Sequence, residues 1–243
     1  MVRRRGAAAV AAGVALVLAM AGCSKQPSGA SGFGDAPGGA PTGGPDVTAS
    51  SGPDPTPAPE PSVVQAKWFL QAEDLGDGGT SEILPSDRVT EARINPCGGR
   101  LPSDDQRLAR AAAHVLYRFS TIPNSTPDGT AYEVITLYRS GGAAAFLADL
   151  RAAVQRCPTG AQGDMTIERE IAKTNFAGDE SILIHETLSY DFEGTQAQTV
   201  VQVAAIRVGE RIIILDVMGW EGTDVSPTEL DRLIQAAIMR ATL

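Results

Sequence analysis

Four segments in the second half of the chain read as strands and follow one another with no helical interval: 165–173, 181–190, 197–208 and 211–218. Strands joined by short connections cannot make the long crossovers that parallel pairing needs, so this run predicts an antiparallel sheet. The tightest connection is Gly209-Glu210, between the last two segments, where a glycine at the first central position suits a type II′ hairpin. Upstream, 132–139 alternates, with Tyr132, Val134, Thr136 and Tyr138 on one face. The run 108–120 is mixed: its first half favours helix and its second half alternates, and it reads as a strand from about Ala113.

Two helices punctuate the strands. In "YRSGGAAAFLADLRAAVQRCP", residues Phe146, Leu150, Val154 and Cys157 recur at helical spacing, while Asp149, Arg151 and Arg156 fall on the other side. Ser140 is placed to cap this helix, and Pro158 ends it. Near the C-terminus Ser226, Pro227 and Glu229 form a capping box ahead of a stripe of Leu230, Leu233, Ile234, Ala237 and Ile238. The order β-β-α-β-β-β-β-α predicts an α+β fold, an antiparallel sheet of about five to six strands with the helices packed on one face.

The N-terminus addresses the chain to a compartment. Arg3, Arg4 and Arg5 precede an uncharged apolar run, 7–20, too short to span a bilayer comfortably, so 1–22 reads as a signal peptide. Ala21 and Gly22 directly before Cys23 resemble a bacterial lipobox, with Met20 where leucine is usual. That resemblance implies cleavage before Cys23 and a diacylglyceryl group on its thiol, whose two chains would hold where one holds only marginally. Residues 23–62 are dominated by Pro, Gly, Ser, Thr and Ala without apolar periodicity, and read as a disordered, lipid-anchored linker with an end-to-end distance of roughly 35 Å. Residues 63–243 are then one domain by size, on the outer face of the cell membrane. The formal net charge of −9 argues against nucleic acid as a partner and against an electrostatic grip on anionic lipid.

With Cys23 assigned to lipid, Cys97 and Cys157 remain, in an oxidising compartment. Only His114 and His185 are available to complete a metal site, and no C-x-x-C spacing occurs, so neither zinc nor redox catalysis is favoured over a structural disulfide. That bond would tie the end of the first helix to the loop "INPCGGRLP".

The stretch "EVITLYRSGGAAAFLADLRAAVQRCP", with the later "AAIRVGERIIILDV" and the terminal amphipathic helix, resembles the actinobacterial PknH-like extracellular sensor-domain family over about 68–243. The resemblance implies extracytoplasmic binding or sensing, here as a stand-alone lipoprotein. Kinase-type members carry two disulfides, and this chain has cysteines for one.

Catalytic motifs are sparse. The segment after His185 has Ser189 where a zinc-protease motif needs a second histidine. The turn around Asp77 resembles a calcium loop but has Leu75 where an oxygen ligand is required. No nucleophile elbow and no phosphate loop occurs. Asp179 and Glu180 are adjacent and point to opposite sides of an extended chain, whereas Asp191 and Glu193 sit where a turn needs solvation. Trp220 and Asp216 lie at or near the end of an apolar strand, open to either a packing or a ligand role. The reading is a non-enzymatic, lipid-anchored binding or sensor-type domain with no cofactor. Its partner is an unknown small ligand or a cell-envelope protein. A carboxylate-based secreted hydrolase and a structural envelope protein are the alternatives.

Overall fold

The strands of the run do pair antiparallel, but in a sheet larger than the sequence predicts. The computed structural model describes residues 62–85, 95–120 and 126–243. Its strands are β1 (Thr80–Ile83), β2 (Arg107–Tyr117), β3 (Gly129–Tyr138), β4 (Thr159–Gln162), β5 (Met165–Thr174), β6 (Glu180–Phe192), β7 (Thr195–Val208) and β8 (Arg211–Gly219). They form one eight-stranded sheet in the order β1-β2-β3-β8-β7-β6-β5-β4. Helix α1 (Gly142–Arg156) follows β3, and α2 (Pro227–Ala241) closes the chain.

Two parts of the expected fold class are corrected. The sheet has eight strands, not five to six, and it dominates the architecture. The helices do not share a face. Helix α1 packs through Phe146, Leu147, Leu150 and Val154 on a set that includes Val134, Tyr138, Ile182, Ala205, Ile212 and Ile214. Helix α2 packs through Leu230, Leu233, Ile234 and Ala237 on the alternate set, including Val115, Ala131, Leu183, Ile206, Ile213 and Leu215. Successive residues of a strand point to opposite sides, so these two sets belong to opposite faces. The central strands β7 and β8 are accordingly apolar on both faces, and Ile212, Ile213, Ile214 and Leu215 are all buried.

Strand β2 begins at Arg107, not near Ala113. Its helix-favouring start is overridden because Arg110 is held in the sheet from the side: its Nε donates to Thr136 Oγ1 at 2.9 Å and its Nη2 to the buried Asp104 at 3.1 Å. The missed strands β1 and β4 are four-residue edges with mostly exposed side chains, so they carry no apolar alternation to read.

The helix ends are set by local chemistry. The α2 capping box forms as the sequence predicts, with Glu229 N–H donating to Ser226 Oγ at 3.2 Å and Ser226 N–H to Glu229 Oε2 at 2.9 Å. We expect Ser226→Ala to cost about 1 kcal/mol, read from urea midpoints at unchanged slope. Ser140 is not the cap of α1. A tight turn bonds Gly142 N–H to Arg139 O at 2.8 Å and needs a left-handed residue before the helix, which Gly141 supplies with φ 80°. Gly209, at φ 59°, is likewise the only one of the two β7–β8 turn residues with positive φ, as a type II′ turn requires.

Residues 66–75 form a strap of two 3₁₀ turns on the α2 face. Trp68 and Phe69 pack on Ile135 and Leu137, with the Arg211 guanidinium 4.4 Å above the Trp68 ring. Arg240 of α2 holds the strap through Asp74 at 2.8 Å and through Glu73. Beneath it lies Glu133, fully buried, whose Oε2 accepts the Leu70 N–H at 2.9 Å.

Candidate functional site

Helix α1 covers only part of its face of the sheet. Beyond Leu150 the strands continue, and a cavity of about 1110 Å³ lies over them. Register fixes its floor, because residues directly opposite each other in neighbouring strands share a face. One row runs His114, Tyr132, Asp216, Val203, Ile184 across β2, β3, β8, β7 and β6. In the adjoining row Val201 lies opposite Glu186, and Glu186 opposite Arg169. The floor is apolar over β6 and β7, with Ile184, Val201 and Val203, while Asp216 stands between Ile214 and Met218 on β8 and further polar groups stand towards β2 and β5.

The wall at the α1 side is built by the cysteines. Cys97 and Cys157 are joined, with Sγ–Sγ 2.11 Å and Cα–Cα 5.4 Å, and Cys97 lines the cavity. The bond draws the loop 95–100 against the end of α1. Asn95, buried, sets that loop's shape: its Nδ2 donates to Gly98 O at 2.8 Å and its Oδ1 accepts the Cys97 N–H at 3.0 Å. The sequence pointed to the cysteines but not to Asn95.

Beside the cysteine wall, where Arg169 N–H donates to Pro158 O at 2.7 Å, the lining carries a part-buried ion pair. Arg169 Nε donates to Glu186 Oε1 at 2.7 Å, and the Arg169 side chain is only 9% exposed. Neither residue stood out in the sequence. The signal was available: Arg169 falls between Ile167 and Ile171 in the inward register of β5, and Glu186 between Ile184 and Leu188 in that of β6.

The other candidates separate from the cavity. Cys23 lies outside the described residues. His185 sits on the opposite face of β6, with Nδ1 3.7 Å from Glu170, and Ser189 takes up a position in the same strand. Leu75, in the acidic turn before Asp77, is fully buried in the α2-side core. Asp179 accepts the Gly209 N–H at 2.7 Å, Glu180 pairs with Arg151 at 3.2 Å, and Asp191 accepts the Gly194 N–H at 2.7 Å, so these carboxylates hold turns and strand ends. Trp220 lies in the 3₁₀ turn after β8, outside the cavity lining, with its backbone N–H donating to Asp128 O at 2.9 Å. Of the residues singled out near β8, only Asp216 faces the cavity.

Among the described residues no three His, Cys, Asp or Glu side chains gather as a metal site would require. Two carboxyl groups line this cavity. Asp216 is on β8 and Glu186 on β6, two strands and one row apart, and Glu186 is engaged by Arg169. Among the described residues no helix is long and apolar enough to cross a membrane.

A solved structure shares this fold distantly. It is the extracellular domain of PknH from Mycobacterium tuberculosis, 10% identical, with a TM-score of 0.44, the match covering 72% of this chain and 93% of that one. No family model matches the sequence, and no curated protein matches it.

Proposed function

We propose that this chain is an extracytoplasmic lipoprotein whose domain binds a small ligand, without catalysis, in the cavity on the α1 face. The observation that carries the reading is the cavity itself: its volume of about 1110 Å³ lies just above the ~300–1,000 Å³ usual for small-molecule sites, and a mostly apolar lining with a few polar groups is how such sites combine affinity with orientation. In this proposal 1–22 is the signal peptide, Cys23 carries the lipid and 23–62 is the tether to the outer face of the membrane. The strap near the start of the described domain packs on the α2 face. Any sensing would pass to a cell-envelope protein.

The test is native mass spectrometry of the full chain from its own cells, beside Val203→Trp, which fills the middle of the floor. The expected result is a small molecule retained by the wild type and absent from the variant. A folded wild type that emerges empty, or a ligand retained equally by Val203→Trp, overturns the proposal.

A further inference from the structure

We infer that the ligand of this cavity is an amphiphile with an uncharged, oxygen-bearing head, an ester carbonyl or a hydroxyl, placed at Arg169, with its apolar body along Ile184, Val201, Val203 and Met218. The inference rests on the ligand-binding reading above and adds the chemical class and the orienting residue.

Arg169 is the cavity's only described side chain that combines charge, nine-tenths burial and a spare donor. Its Nε is satisfied by Glu186 at 2.7 Å, but its Nη1 is buried and has no acceptor among the described residues. A buried N–H left without a partner costs about 1–3 kcal/mol, more on a charged group, and an incoming acceptor recovers that cost. The guanidinium is held at the wall by Gly160 of β4, which lies opposite Ile167, beside Arg169. A Cβ at 160 would stand 2.8 Å from Nη1, so Gly160 leaves room for the guanidinium beside that edge strand. Residues Gly160, Ala161 and Gln162 belong to the short edge strand β4 and line the cavity beside Arg169.

The charge of the head follows from Glu186. That carboxylate already neutralises the guanidinium, so the pair offers hydrogen-bond donors without net positive charge. An anionic head would stand beside Glu186 and share the cavity with Asp216, gaining no uncompensated cation. A neutral acceptor meets the same N–H without that repulsion. The body follows from the floor, where apolar side chains of three neighbouring strands, Ile184, Val201, Val203, Ile214 and Met218, line the cavity.

The experiment uses the full chain, freed of co-purifying lipid, and three probes sharing apolar length: monooleoylglycerol, oleate and hexadecane, with bound fractions read by native mass spectrometry. The wild type is expected to bind monooleoylglycerol at least tenfold more tightly than oleate. Arg169→Met with Glu186→Leu removes the pair without leaving a lone buried charge. It should lower monooleoylglycerol affinity at least tenfold and leave hexadecane unchanged, and Val203→Trp should weaken all three probes. Oleate binding more tightly than monooleoylglycerol overturns the uncharged head. Unchanged monooleoylglycerol affinity in the double variant overturns the role of Arg169, while loss in Val203→Trp keeps the cavity as a ligand site. A wild type that binds none of the three overturns the ligand-binding reading itself.

Discussion

Raising the pH from about 5 to about 9 is expected to remove on the order of 4 kcal/mol from the stability of the folded domain, with Glu133→Gln removing most of that slope. Glu133 is fully buried beneath the strap, and burial pushes its carboxyl from the ordinary value of 4.5 up to about 8, with Asp74 adding to the rise and the Leu70 N–H opposing it. The folded chain therefore keeps this proton until about pH 8, whereas the unfolded chain releases it above about 4.5. Between those values the native state binds more protons than the unfolded one, so stability falls as pH rises. It is fully present below the lower value, and the loss is complete above the upper one. The geometry accounts for the preference: Oε2 accepts the Leu70 N–H, while Oε1 has no partner among the described residues. A neutral hydroxyl tolerates that position better than half of a carboxylate. Urea unfolding at several pH values checks the prediction. Glu133→Gln is less stable than wild type in acid, because its amide N–H groups lack acceptors, and should overtake it in alkali. Parallel pH profiles for the two proteins would sink the assignment.

The second large effect concerns the cavity wall. Cys97→Ser together with Cys157→Ser should lower stability by about 4 kcal/mol, the chain-entropy value for a loop of this length, since the bonded cysteines are 60 residues apart. The sheet itself does not depend on the bond, so far-ultraviolet circular dichroism should be unchanged. What the bond positions is the loop 95–100 against α1, and through it the wall of the cavity. The double variant is therefore expected to lose ligand as well as stability, whereas Ser226→Ala, on the opposite face, should lose about 1 kcal/mol and no ligand. A non-reduced wild type and double variant that unfold at the same urea concentration would refute the contribution of the bond.

How much of this was legible depended on whether a residue's signal was local. The α2 capping box, the Gly209 turn, the α1 stripe and the two cysteines are short-range patterns, and each appears where the sequence puts it. Edge strands β1 and β4 bury little, so no alternation marks them. The start of β2 is rich in alanine, with helix-favouring composition, and becomes a strand because Ala112 and Ala113 are pressed between layers where small side chains fit. The placement of the helices on opposite faces was encoded, though not in the helices: four consecutive apolar residues, Ile212 to Leu215, require cover on both sides of a strand. For the site, the legible signal was charge at an inward position. Arg169, Glu186 and Glu133 each interrupt an apolar register; Arg169 and Glu133 each make one hydrogen bond and keep one buried atom unpartnered, and Glu186 is the partner of Arg169.

The strand order also shapes how the molecule is made. Every neighbouring pair in the sheet is consecutive in the chain except β3 with β8, between which α1 and β4 to β7 intervene. The chain can thus assemble two meanders from nearby contacts, β1–β3 and β4–β8, but joining them requires closure of a long intervening loop. Until that happens each meander presents an unpaired edge bearing its most apolar residues, Val134 and Ile135 on one side and Ile213 and Ile214 on the other. The β8 edge of one molecule is as good a match for the β3 edge of a second as for its own. Crowded nascent chains therefore have a route to exchanged dimers, and dilution favours the monomer.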